Sequence, residues 1–360
     1  MPEIETSNVT LTTPELTGAM RLEDGRLLHW YEWGPAAGTP IIFCTGAAMS
    51  GWLGFGTDCL VEHNLRLLAP DRPGLGQSDP HPNKTLASWA DDMWQFCAFN
   101  RLDPVLTVGF SQGAPFALAL AASGLVSAAA IVSGQDDLRH PNLRPLLYPD
   151  VEGMLAAIEQ DPTKFEQDMA AMATAEGFWD LIIGMSGERD RLLYESPDFA
   201  TAYRETLQQG FAQGASGYAR DLVIAMGDWP LDIEAIAIPV DLWYGRQDTS
   251  PVHSPDFGAT LAARLQHATL TVAEPDGHIV KIYAKDGTPV YQLKGEVQDG
   301  VYRYEMSAAT DKRVKIVNPI DTGRGEDQPD TRAVPYYTTG HFVVERGVII
   351  TPEDIKEEEG

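Results

Sequence analysis

Gly109-Phe110-Ser111-Gln112-Gly113 decides how the rest of this chain is read. An apolar, strand-like run precedes it, Pro104-Val105-Leu106-Thr107-Val108, and a small-residue helix pattern follows from Ala114 to Ala122. A serine between glycines at such a junction can be held on a sharp strand-to-helix turn, its oxygen exposed and backbone N–H groups beside it. Glycine suits the flanks because a Cβ would clash in the strained turn and against crossing elements.

A serine hydroxyl is a weak nucleophile until a base takes its proton. The sequence offers His278 for this, in Pro275-Asp276-Gly277-His278, directly after the last apolar strand pattern. Asp248, in Tyr244-Gly245-Arg246-Gln247-Asp248, stands just past another strand and can fix the imidazole's tautomer. The order Ser, Asp, His is the one a strand–turn–helix nucleophile leads one to expect. Donors for an oxyanion are expected from the N–H of Gln112, which follows the serine, and of Ala47, after Thr45-Gly46. His253 and His267 are rivals for the base; one lies only five residues after Asp248 and the other precedes the final strand, so both read as surface residues or neighbours of the site. Asp71 reads as the cap of its own loop, and Cys44 as a small buried thiol.

The organisation around these residues is consistent with that chemistry. Strand patterns at 26–33, 40–44, 65–71, 104–108, 127–133, 240–245 and 268–273 alternate with helical spacing, as over 86–99. Such alternation implies an α/β fold, a doubly wound and mostly parallel sheet. Between about 138 and 218 the pattern is helical only, with helices predicted near 151–158, 164–173 and 198–209. An insertion after a strand's C-terminal end sits over the ligand-binding edge of such a sheet as a cap. From it, Met154, Met172, Phe178, Trp179, Ile182 and Met185 are the apolar candidates for contacting substrate.

At this point the chain resembles the α/β-hydrolase family, and within it the cap-bearing serine esterases and aminopeptidase-like members. The resemblance covers about residues 20–278 and rests on four motifs in order: Asp71 to Ser78, Gly109 to Gly113, Trp243 to Asp248, and Gly277-His278. It implies acyl-enzyme chemistry at a serine, with a histidine base, an orienting aspartate and no cofactor. Two departures stand out. The oxyanion loop reads Cys44-Thr45-Gly46-Ala47-Ala48 where the family has a His-Gly pair, and the chain turns to β-type hairpins where the family closes with a helix. The hydrolase domain is therefore expected over 1–278. The β-rich module over 279–360 either replaces that helix or is a foreign piece joined near residue 278, as in a fusion or chimera. It has a hairpin signal at Asp286-Gly287, further strands at 301–306 and 341–344, a polar loop over 318–335 and a short helix starting at Thr351.

Composition excludes other classes. The formal net charge of −26 disfavours nucleic acid and anionic membrane surfaces as partners. Only 11 of the 26 basic and 15 of the 52 acidic residues fall past residue 278, so the acidity belongs mainly to the first domain. Three cysteines, Cys44, Cys59 and Cys97, make neither a disulfide framework nor a metal-ligand pair. With no signal peptide or membrane span in view, a cytoplasmic protein is expected. No zinc motif, calcium loop or phosphate-binding fingerprint is present, so no metal site is expected. The expected activity is a serine hydrolase taking a small neutral ester, thioester, lactone or amide. A lyase or carbon–carbon hydrolase using the same triad stays open beside it. So does a non-catalytic binding or assembly protein, self-associating through the β module.

Overall fold

The computed structural model describes residues 11–54, 56–57, 59–273, 300–308, 313–315, 331–333, 336–345 and 348–350. By compactness the chain divides into 1–279 and 280–360. The first unit is built on eight strands: β1 (Leu16–Arg21), β2 (Leu27–Trp33), β3 (Thr39–Cys44), β4 (Leu65–Pro70), β5 (Leu106–Phe110), β6 (Ala129–Val132), β7 (Val240–Gly245) and β8 (Ala268–Ala273). They lie in the order β1-β2-β4-β3-β5-β6-β7-β8. β1 and β2 are antiparallel to their neighbours, and β3 to β8 run parallel to one another. This is the α/β sheet expected from the alternating pattern, with β1 added at its edge. β1 was not legible because its alternating small and polar residues, LTGAMR, leave only Met20 buried.

Continuous apolar runs such as Ile41-Ile42-Phe43 need cover on both faces, since neighbouring side chains point to opposite sides. On one face Ile42, Leu68, Ile131 and Leu242 pack under α2 (Leu86–Asn100) and α3 (Gly113–Ala122). On the other, Tyr31, Trp33, Ile41, Phe43 and Leu67 pack with Leu60 of α1 (Cys59–Glu62). α2 starts cleanly because Thr85 caps the Ser88 N–H while the Ser88 hydroxyl accepts from the Thr85 N–H. α3 is buried along nearly its whole length, which its run of alanines and leucines allows.

Six helices lie between β6 and β7: α4 (Pro149–Gln160), α5 (Pro162–Met172), α6 (Ala175–Met185), α7 (Glu188–Tyr194), α8 (Pro197–Gly210) and α9 (Ser216–Met226). Their apolar faces meet the loops at the sheet's C-terminal edge in a second core. It contains Ala48, Met49 and Leu75 from the loops, and Leu155, Trp179, Tyr203, Leu207, Tyr218 and Leu222 from the helices. A short α10 (Ala259–Arg264) precedes β8.

In the second unit β9 (Gly300–Ala308), β12 (Tyr336–Glu345) and β13 (Val348–Ile350) form an antiparallel sheet in the order β13-β12-β9. β10 (Arg313–Lys315) pairs antiparallel with β11 (Thr331–Ala333), so the polar stretch expected as loop carries a short strand at its end. The hairpin expected at Asp286-Gly287 and the helix expected at Thr351 lie outside the described residues.

The glycines around Ser111 are set by close approach. A Cβ on Gly109 would come within 2.8 Å of the Ala117 Cβ, and one on Gly113 would overlap the Cys44 carbonyl oxygen. Gly113→Ala is therefore expected to destabilise the first unit by about 1–3 kcal/mol or more through overpacking, measured by urea unfolding. A cost indistinguishable from zero would show that β3 yields without penalty.

Candidate active site

Ser111 follows β5 directly and takes a positive φ of 51°, strained for any residue with a Cβ. Its N–H donates to the Val132 carbonyl and its own carbonyl accepts from Gln135, which fixes the turn to the end of β6. The hydroxyl is left pointing away from the sheet, where Ser111 Oγ lies 2.9 Å from His253 Nε2. His253 Nδ1 in turn lies 2.7 Å from Asp248 Oδ2. These three side chains form one hydrogen-bonded chain in which the carboxylate accepts from Nδ1–H and leaves Nε2 free to accept from the serine.

The base expected from sequence, His278, lies outside the described residues. Among the described residues the imidazole that reaches Ser111 is His253, whose side chain is only 15 % exposed, so it is not the surface residue its position suggested. The reason is local. After β7, the Asp248 N–H donates to Gly245, Asp248 Oδ1 accepts from the Ser250 N–H, and the His253 N–H donates to Ser250. Two tight turns thus reverse the chain and bring position 253 back onto 248. His267 is exposed, as expected.

Burial pulls the Asp248 carboxyl upward, but hydrogen bonds from His253, the Ser250 N–H and the Ser133 hydroxyl, with the His253 charge, outweigh it and hold Asp248 below its usual value. Cap helix α7 adds a further acid nearby. Burial, then the charge on Asp248, raises Asp190, with His253 opposing. Burial, then the same two carboxylates, pushes Tyr194 up to about 12, so it stays a neutral hydroxyl at neutral pH. Cys44 is likewise inert, its thiol pushed up to about 11 by burial.

Among the described residues neither the Ala47 nor the Gln112 N–H meets a hydrogen-bond acceptor. They flank the serine from the end of β3 and the start of α3, and Ala48 beside them has a positive φ of 59°. Asp71 ties loops rather than facing the serine. Its carboxylate accepts from the N–H groups of Gly51 and Gln77 and sits against His29 Nδ1.

Of the cap candidates, Met154, Phe178 and Ile182 edge the apolar layer between cap and sheet, and Trp179 is buried within it. Met185 lies where the cap meets the acid loop, its carbonyl accepting from Thr249 Oγ1 at 2.6 Å. Met172 does not belong to this set. It ends α5, a helix with no fully buried residue, and is 68 % exposed. Trp52, Phe211 and Val252 edge the same layer and lacked a sequence signal, because their segments have no period.

A second carboxylate stabilises the loop that carries His253. Asp136, fully buried, accepts from Ser254 Oγ at 2.7 Å and from the Asp137 N–H at 2.8 Å. Ser254 follows His253, and its Oγ also lies 3.0 Å from Asp256 Oδ1. One hydroxyl proton cannot serve two carboxylates, and burial raises Asp136 to about 6. The folded chain therefore binds that proton more tightly than the unfolded one. The stability it contributes is complete below the unfolded value of 3.8 and is lost as pH rises through about 6. Between pH 5 and 7.5, wild-type stability is expected to fall relative to Asp136→Asn by about 1.4 kcal/mol. Urea unfolding across that range measures it, and parallel curves for the two proteins would refute the assignment.

A family model described as the alpha/beta hydrolase fold matches residues 39–285. No curated protein matches the chain in sequence. Several solved structures resemble it. A bromoperoxidase from Bacillus anthracis is 16 % identical, with 72 % of this chain and 91 % of that one covered and a TM-score of 0.54. An enol-lactonase from Burkholderia xenovorans is 16 % identical over 71 % and 90 %, with a TM-score of 0.51. An esterase from Exiguobacterium antarcticum gives 16 %, 71 %, 90 % and 0.50 for the same measures. At such identities the likeness is one of fold, and the matched span takes in the strained serine turn and the loop that carries Asp248 and His253. By its sheet order, its helical insertion between β6 and β7 and this family match, the chain belongs to the alpha/beta hydrolase fold family.

Proposed function

We propose that this chain is a serine hydrolase that cleaves a small neutral ester, thioester, lactone or amide through an acyl-enzyme. The observation that carries the reading is the chain of contacts Ser111 Oγ–His253 Nε2 at 2.9 Å and His253 Nδ1–Asp248 Oδ2 at 2.7 Å. Ser111 Oγ attacks the substrate carbonyl as His253 Nε2 takes its proton. Asp248 holds the imidazole tautomer and stabilises the imidazolium. The carbonyl oxygen, now an oxyanion, lies against the Ala47 and Gln112 N–H groups. His253 returns the proton to the leaving alcohol, thiol or amine, and the acyl group stays on Ser111. Water, deprotonated by the same imidazole, then attacks the acyl-enzyme, and His253 passes that proton to Ser111 Oγ as the acid leaves. The apolar underside of the cap, with Phe178, Ile182 and Phe211, favours an uncharged acyl or alcohol group. The acidic surface repels anions at long range.

Hydrolysis of short p-nitrophenyl esters tests this. Ser111→Ala is expected to lower kcat by about 10⁴-fold or more, and His253→Asn by about 10³-fold or more. His278→Asn is expected to stay near the wild-type rate. Loss in His278→Asn with activity kept in His253→Asn would move the base to His278. A folded wild-type chain that neither turns over esters nor reacts with a fluorophosphonate would instead favour a binding protein on this scaffold.

A further inference from the structure

Arg72, from the loop after β4, is entirely buried. Its Nε donates to Asp221 Oδ2 at 2.8 Å, Nη1 to the Thr45 carbonyl at 2.6 Å, and Nη2 to the Gly46 carbonyl at 2.9 Å. Asp221 belongs to cap helix α9 and is also paired with Lys84 Nζ, which donates to the Pro73 carbonyl. The guanidinium lies 4.7 Å above the ring of Phe116, on the helix that begins just after Ser111. One planar group thus touches the loop of Ala47, the cap and α3.

The contact with Gly46 has a consequence for the oxyanion donor. The Gly46 carbonyl and the Ala47 N–H belong to one planar peptide unit, and in a trans unit they point in opposite directions. Holding the carbonyl on Arg72 therefore aims the N–H to the other side. The neighbouring unit is held through Thr45, so the loop cannot rotate about one fixed point. Net stability does not require this arrangement, since well-packed apolar groups often replace buried ion pairs without loss.

Resting on the serine hydrolase reading, we infer that Arg72 is a positioning residue that aims the Ala47 N–H at the oxyanion, and that Asp221 on the cap holds Arg72 in place to do so.

The test compares two ketones of nearly equal shape. 1,1,1-Trifluoroheptan-2-one forms a charged hemiketal with a reactive serine, whereas heptan-2-one remains a neutral carbonyl. Affinities for both are measured on the full-length wild type, Arg72→Lys and Asp221→Asn, with thermal unfolding as the check on folding. The variants are expected to lose about 10- to 100-fold in trifluoroketone affinity and in kcat, with heptan-2-one affinity and KM near wild type. Arg72→Lys keeps the buried charge paired with Asp221 and guards against a variant that fails through an uncompensated buried charge. Folded variants that keep the wild-type preference for the trifluoroketone, or lose affinity for both ketones alike, would overturn the inference. So would failure of both variants to fold cooperatively, which assigns the cluster to folding. If the wild type shows no preference and Ser111→Ala changes nothing, the hydrolase reading itself falls.

Discussion

Everything at the candidate site depends on how closely β3, β5 and α3 approach one another. The Cys44 carbonyl at the end of β3 occupies the space a side chain at 113 would need, and Ala117 occupies that of a side chain at 109. With both flanks bare, the chain can turn from strand to helix at Ser111 with a φ of 51°. The same approach sets the Ala47 loop beside the first turn of α3. Close backbone packing thus creates both the half-buried hydroxyl that meets His253 and the pair of N–H groups next to it, before any charged residue takes part.

The charged residues hold that arrangement from two sides. On one, Asp248 and His253 share a single loop, and Asp136 with Ser254 fastens the loop's far end to the segment after β6. On the other, Arg72 grips two successive carbonyls of the Ala47 loop. Both anchors are buried and make directed bonds, so their value lies in fixing geometry more than in net stability.

How much of this could be read in the sequence varied with its range. Local periodicity gave seven of the sheet's strands nearly in place, because buried parallel strands are short apolar runs with turn residues at their ends. The serine turn and the position of Asp248 were legible for a related reason, as each sits at a strand end with small or polar neighbours. The approach of His253 to Ser111 was not, because a histidine five residues from Asp248 looks too near to face it, while His278 lies outside the described residues. The Asp248–Ser250 side-chain turn that folds the loop back was the available signal, Asp-Thr-Ser-Pro being a turn-forming run. Arg72 and Asp221 are 149 residues apart in sequence, and no spacing announces such a pair. Met172 failed for the opposite reason, since its helical spacing is amphipathic without showing which face meets the protein.

The cap is fastened at both edges of the site. α6 binds the acid loop through Met185 and Thr249, and α9 binds the Ala47 loop through Asp221 and Arg72. A rigid lifting of these helices would therefore not leave a finished site waiting beneath an open door. It would pull on Asp248 from one side and slacken the Ala47 loop on the other. For the proposed reaction, a guest too bulky to fit with the roof in place would meet an incompetent centre even once inside. Size discrimination would then appear in turnover rather than in affinity.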